Sequence, residues 1–222
     1  MRIAIHQPDL LPYSGFWYKM AVSDGFIVSR HDQFQKHGYQ RRVRLREAWC
    51  SHLLDGKPSL VPITEVRVRE GWQQHLTDVI GGRCRGARHW SDRGVELLER
   101  IGAAEGETLD EVNLALIEIV RDMLGITTPL LFTDPPVHHG PDRLIEQVLA
   151  VGGDAYLSGS GGRAYMGEEA EADFASRGIR LEWSRHQHVT GDSIVAVLLD
   201  HDDPMEVVLR EAPAEDAPGA RA

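Results

Sequence analysis

Short apolar runs alternate with longer amphipathic stretches along most of the chain, the pattern of buried strands and the helices that cover them. Residues 2–5 form a short apolar strand of the kind found in the middle of a parallel sheet, and Pro8, Pro12 and Gly15 follow at once, so the strand is expected to end in a loop. Residues 15–22 then read as a helix with Phe16 and Met20 facing inward and Lys19 as a further inward candidate. Gly25, Phe26, Ile27 and Val28 supply a second strand. Strand, loop, helix and strand make a crossover unit, and the loop after its first strand falls at the carboxyl edge of the sheet, where open α/β sheets place ligands.

Further along, residues 39–45 and 59–63 look like strands around the turn Asp55-Gly56-Lys57-Pro58. Residues 72–80 are amphipathic, with Gly81-Gly82 as a stop signal. The clearest helix spans 108–124: Thr108 and Glu111 form a capping box, Leu109, Val112, Leu116, Ile119, Val120 and Met123 recur at helical spacing, and Gly125 closes it. Asn113 within it can face solvent, bridge to a neighbouring helix or reach a ligand. Residues 129–137 are apolar and interrupted by proline, 142–151 read as a helix, 155–158 as a buried strand, 174–178 as the end of a short helix and 179–183 as a strand. Residues 193–199 suit either helix or strand. The pattern predicts an α/β fold with a largely parallel open sheet flanked by helices, Rossmann-like, its site at the carboxyl ends of the strands. Residues 1–210 are expected to form one domain and 211–222 a disordered tail.

Composition narrows the function classes. A chain of 222 residues with 42% hydrophobic and 26% charged residues can bury a sizeable core. No apolar run approaches the ~20 residues of a membrane span, and no leader pattern opens the chain, so a cytoplasmic protein is expected. Two cysteines, Cys50 and Cys84, are too few for a disulfide framework or a thiolate-rich zinc site. The net charge of -10 argues against nucleic-acid binding. It conceals a basic stretch, however: residues 30–46 hold Arg30, Lys36, Arg41, Arg42, Arg44 and Arg46 against the single acid Asp32. An anionic visitor is expected there, whether a nucleotide-linked substrate, a phosphopantetheine arm or an acidic protein surface, the alternative being a solvated basic strand pair.

Candidate chemistry gathers at three places. His6-Gln7-Pro8 leaves the first strand, which holds a titratable ring firmly while letting it reach solvent; Gln7 can donate and accept, and Pro8 fixes the turn. Tyr13, Phe16, Trp17 and Tyr18 follow as packing or stacking aromatics. His31 and Asp32 leave the second strand at the same edge, where one of them can face the site as an oriented base or its partner. The turn Gly159-Ser160-Gly161-Gly162-Arg163 follows Ser158 and resembles an anion cradle to which Arg163 adds charge, although it fits neither the P-loop nor the dinucleotide fingerprint. His138-His139 and His186-x-His188 invite a metal reading, but no HExxH, cysteine pair or third ligand supports it, and no metal is expected. A cysteine nucleophile at Cys50, or at Cys84 among Arg83, Arg85 and Arg88, has no better support.

These residues resemble the WbqC-like protein family of O-antigen, amino-sugar and natural-product gene sets. HQPDLLPYSGFWYKM is similar to that family's HQP, Pro-aromatic, Gly-aromatic, Lys opening. DGFIVSRHDQFQKHGYQRRVRL is similar to its second-strand segment, and GKPSLVPI, Trp72, Asn113 with MLGITT, DAYLSGSGGRAYM and RGIRLEW follow in order, covering residues 1–200. The resemblance marks His6, Gln7, Pro8, Gly15, Lys19, Gln33, Lys36, Arg42, Tyr156, Ser158 and Tyr165. The chain departs where the family often carries an acidic pair, having Arg30-His31 with Asp32 displaced by one, and where Asn-Arg-Asn is frequent, having Arg41-Arg42-Val43.

The resemblance implies an enzyme that transfers an aminoacyl group, such as glycyl, from a carrier-protein thioester to an amine or amino sugar. His6 or His31, with Asp32, would take the amine proton. Backbone amides or Gln7 would hold the oxyanion, and Gln7, Tyr13, Lys19, Gln33, Lys36, Arg42, Tyr156, Ser158, Gly161 and Arg163 would bind substrate. No cofactor is expected on the protein itself; the phosphopantetheine would belong to an acidic acyl or peptidyl carrier. Two alternatives stay open: a nucleotide- or nucleotide-sugar-handling transferase, and a non-catalytic module that binds a carrier.

Overall fold

The structure, a computed structural model, describes residues 1–190 and 192–213. The chain begins with β1 (Arg2–His6), α1 (Ser14–Ala21), β2 (Gly25–Val28), β3 (Arg42–Leu45) and β4 (Ala48–Ser51). A helical stretch follows, with α2 (Trp72–Cys84), α3 (Val95–Ala103) and α4 (Leu109–Met123). The chain returns to the sheet through β5 (Leu130–Leu131), α5 (Gly140–Ala150), β6 (Ala155–Ser158), α6 (Gly162–Met166), α7 (Ala170–Ser176) and β7 (Arg180–Trp183), and then forms α8 (Ile194–Asp200) and α9 (Pro204–Val208).

β1 lies at the centre of a five-stranded sheet of order β5-β2-β1-β6-β7, and every pairing in it is parallel. The protein is an α/β fold. Because β2 lies on one side of β1 and β6 on the other, the chain crosses in opposite directions from the central strand, and the strand ends part there into a crevice.

Strand periodicity divides the core in two. Ala4, Phe26, Val28 and Leu157 point to one face, against Phe16, Trp17 and Met20 of α1 and the larger helical layer that includes α4 and α8. Ile3, Ile5, Ile27 and Tyr156 point to the other, against Leu144, Ile145 and Val148 of α5 and Phe174 of α7. With both faces covered, the strands read as continuous apolar runs rather than alternating ones.

The structure corrects several local expectations. Residues 59–63 form no strand; Pro62 makes one bridge to Gln33, and a 3-10 turn, Ile63–Glu65, follows. The partner of β3 is β4, joined by the two-residue turn Arg46-Glu47 with φ of 52° and 63°. Two positive φ angles suit a tight hairpin and ordinarily call for Asn-Gly. Here the Arg46 guanidinium is held by Asp200 through two bonds of 2.6 and 2.7 Å. α2 runs through Gly81-Gly82 to Cys84, with the bare Gly81 surface against Trp90 and Leu98. Residues 193–199 are helical, capped by Ser193 Oγ, which accepts from Val195 N. At the start of the expected tail Glu211 bridges to His186 and accepts from the Tyr18 hydroxyl, and Ala212 N donates to Arg185 O. Residues 214–222 of the expected tail lie outside the described residues.

Candidate active site at the carboxyl edge of the sheet

The loop from His6 to α1 is buried, so its backbone polar groups need partners other than water. Pro8 O accepts from Asn113 Nδ2 at 2.8 Å, Leu10 N donates to Tyr39 O, and Pro12 O accepts from Ile194 N and Trp17 Nε1. Leu11 sits at φ 42°, an unfavourable angle for a branched residue, and its carbonyl accepts from Ser193 Oγ at 2.7 Å. Asn113 is fully buried. It donates also to Gln40 O at 2.7 Å, while its Oδ1 meets His52 Nε2 at 2.8 Å. The polar residue of α4 thus clamps the loop from below, a structural role outside the cavity lining.

Above that clamp the ends of β1, β2 and β6 and the start of α5 enclose a cavity of about 500 Å³, with His6, Asp32, Arg143, Tyr156 and Ser158 in its walls. His6 keeps 22% of its side chain exposed. Its Nδ1 donates to Gln7 O at 3.0 Å; a carbonyl can only accept, so this bond fixes the Nδ1–H tautomer and leaves the Nε2 lone pair free. The ring lies edge-on to Phe16, 5.0 Å between centroids. Burial, with Lys19 adding to it, pushes His6 down to about 3, so the ring is neutral over the physiological range.

Asp9 lies behind it. Its Oδ1 accepts from Gln7 Nε2 at 2.9 Å and its Oδ2 is 3.6 Å from His6 Nδ1. Burial raises its carboxyl to about 7, against the opposing pull of Gln7 and Lys19. Lys19 on α1 is buried too, with Nζ 3.4 Å from Ile5 O, and burial lowers its ammonium to about 8. Gln7 Oε1 accepts from Gln40 Nε2 at 2.9 Å, so each end of the Gln7 side chain makes a bond within the protein.

On the opposite wall Asp32 accepts from Ser29 Oγ at 3.0 Å and pairs with Arg143 at 2.8 Å, while Arg143 Nε is buried without a partner. Gly162 lets its turn close on β6, since a Cβ there would run into Ser158 Oγ.

Of the residues singled out in the sequence, His6, Gln7, Asp32, Tyr156, Ser158, Gly161, Gly162 and Tyr165 meet at this cavity. His31 is exposed and outside its lining. Arg163 turns onto the Trp183 ring at 4.4 Å, and Arg143 of α5 supplies the cation in its place. Arg42 stacks on Trp49 at 4.1 Å, and Gln33 gives its carbonyl to Gln40. Tyr13 faces a separate small cavity with Asp9, and Lys36 lines a third with Arg41 and Lys57. Asp9 and Arg143 were not among the sequence candidates. The signal for Asp9 was its place in HQPD, one turn from His6; for Arg143 it was the first turn of a helix aimed at the sheet edge.

Among the described residues no three His, Cys, Asp or Glu side chains gather as a metal site. His138 pairs with Glu146, and His186 Nε2 meets Ser14 Oγ at 2.9 Å. Burial pushes the Cys50 thiol up to about 11 and raises that of Cys84, which disfavours a thiolate at either position. No helix among the described residues is long and apolar enough to cross a membrane.

The family model described as the WbqC-like protein family matches residues 7–190, a span that begins at Gln7, just after His6, and contains Asp9, Asp32, Arg143 and the glycine-rich turn. No curated protein and no solved structure matches the chain.

Proposed function

Because the chain belongs to the WbqC-like protein family, we propose that it is a biosynthetic acyltransferase. In this reading it moves an aminoacyl group, such as glycyl, from a carrier-protein thioester to an amine in amino-sugar or natural-product biosynthesis. The observation that carries this reading is the neutral His6 ring, its Nδ1–H given to Gln7 O and its Nε2 free at the cavity wall.

The amine nitrogen attacks the thioester carbonyl as His6 Nε2 takes its proton. The C–S bond then breaks, and the imidazolium protonates the departing thiolate. His6 alone is a weak base. Asp9 assists it from behind: above about pH 7 the carboxylate, 3.6 Å from Nδ1, stabilises the imidazolium through its charge. The second N–H of Gln7 Nε2 and the Arg143 guanidinium, both in the cavity wall, are the donors for the oxyanion.

A cavity of about 440 Å³ bounded by Lys36, Arg41 and Lys57, with Phe34, Leu54 and Leu60 as apolar walls, suits the phosphate and chain of a phosphopantetheine arm on an acidic carrier. The protein needs no cofactor of its own in this scheme.

The test is direct. A carrier protein charged with a glycyl thioester is mixed with the protein and an amino sugar, and amide formation is followed by mass spectrometry. Discharge that requires both protein and amine supports the proposal. No discharge, together with calorimetric binding of a magnesium nucleotide, would favour a nucleotide-handling transferase, and carrier binding without discharge would favour a docking module.

A further inference from the structure

The loop that presents His6 has a second opening on the Asp9 side. There a cavity of about 250 Å³ is bounded by Asp9, Pro12, Tyr13, Tyr39, Val43 and His188, none of which lines the His6 cavity. Asp9 is only 3% exposed. Its Oδ1 is taken by Gln7, but Oδ2 accepts no hydrogen bond among the described residues, because the nearest donor, His6 Nδ1–H, is directed to Gln7 O. Lys19 acts on it through its charge, while its Nζ is directed to Ile5 O. Tyr13 packs edge-on to His188, 5.0 Å between centroids, and Tyr39 stands half-exposed at the mouth. The Tyr13 phenol is raised first by burial and then by Asp9 and Tyr39, which places the acid and both phenols around one small space.

A free carboxylate oxygen, two electron-rich rings and no Lys or Arg in the lining select a cation. Aromatic faces attract an ammonium through their quadrupoles, and the carboxylate supplies a charge-assisted hydrogen bond. We propose that this cavity binds the primary ammonium of a small organic molecule, with Asp9 Oδ2 as its counter-ion. This cavity is separate from the His6 cavity, so the molecule it holds is not the nucleophile of the aminoacyl-transfer reading, and its binding stands without that reading.

The groups facing Asp9 are Gln7 and His6 on its own loop, Lys19 on α1, Asp32 beyond β2, and Tyr13, Tyr39 and His188 around the cavity. The carboxylate must be ionised to take the cation, and burial holds its protonation near pH 7. For an amine that stays protonated across the range, such as ethanolamine, affinity therefore rises from pH 6 to pH 8.

The test is titration of the full chain with glucosamine hydrochloride and ethanolamine hydrochloride, beside their neutral counterparts N-acetylglucosamine and ethylene glycol. Tyr and His ring resonances report binding. The ammonium compounds are expected to bind and shift Tyr13 and His188. The neutral ones should bind at least about tenfold more weakly, as should the ammonium compounds to Asp9→Asn, and Tyr39→Ala should weaken binding about threefold. Equal binding of charged and neutral partners, wild-type affinity in Asp9→Asn, or no binding by either ammonium compound would overturn the proposal. Ammonium binding without aminoacyl transfer would overturn the transfer reading alone, and transfer without ammonium binding would overturn this one alone.

Discussion

At the His6 cavity and directly behind it the charged and titratable groups have partners inside the protein: Asp32 with Arg143 and His6 with the Gln7 carbonyl in its walls, Asp9 with Gln7 behind them. At the cavity around Lys36, Arg41 and Lys57, none of the three cations meets a carboxylate among the described residues. Internal pairing fixes geometry and tunes proton affinity, which suits chemistry, whereas unpaired surface charge acts at range and is screened by salt, which suits capture of a charged partner. The basic stretch of residues 30–46 straddles the two regimes. Arg30 is bound to Asp110 and Arg46 to Asp200, while Arg42 lies on Trp49. Lys36 and Arg41, joined by Lys57 from a distant loop, are left facing solvent and the cavity.

The largest test of this contrast is at His6. His6→Ala is expected to lower kcat/KM for carrier discharge by at least about 100-fold, while His31→Ala, outside the cavity, stays within about twofold; steady-state kinetics of the two variants decide it. Equal losses would dissolve the distinction between a paired site and its surroundings.

Next is the clamp beneath the loop. Asn113→Ala leaves Pro8 O, Gln40 O and His52 Nε2 without their buried partner and is expected to destabilise the fold by about 3 kcal/mol, read from the urea midpoint. A cost near zero would mean that the loop holds its shape unaided.

Asp9 gives a smaller effect whose sign depends on pH. Its carboxyl is held up at about 7 in the fold and has a reference value of 3.8. Between those values the native state keeps a proton that the unfolded chain has lost, so stability falls as pH rises from about 4 to about 7. Asp9→Asn removes that penalty. It should be more stable than wild type by about 2 kcal/mol at pH 8 and converge with it near pH 4, measured by chemical unfolding across the range. The reverse trend would mean that Asp9 is stabilised as a carboxylate in the fold.

Last, Lys36→Ala combined with Lys57→Ala should slow carrier association about threefold at low ionic strength and hardly at all at high salt, with the melting temperature unchanged within about 1 °C. A salt-independent loss would assign these lysines to fixed contacts instead.

How far the sequence foretells this arrangement depends on the range of the forces involved. β1, β2, β6 and the capped helix α4 are legible because their signals are local: a buried apolar run, a helical repeat, Thr108 with Glu111. The β3–β4 hairpin is not, since its turn uses Arg46-Glu47 at positive φ, held by Asp200 more than 150 residues away. His6, Gln7, Tyr156 and Ser158 could be placed at one edge from strand order alone. The exchange of Arg163 for Arg143 could not, because it turns on which ring, Trp183, offers a stacking surface. Nor could the perturbation of Asp9, Lys19 and His6, which arises from mutual burial after the loop has closed.

The most direct test of the central claim is the pH dependence of single-turnover discharge of a glycyl-carrier thioester to an amino sugar by wild type and Asp9→Asn. If the Asp9 carboxylate assists His6, the wild-type rate rises through an apparent pKa near 7, and the variant is slower and lacks that step. A step of the same size and position in both proteins would contradict the account.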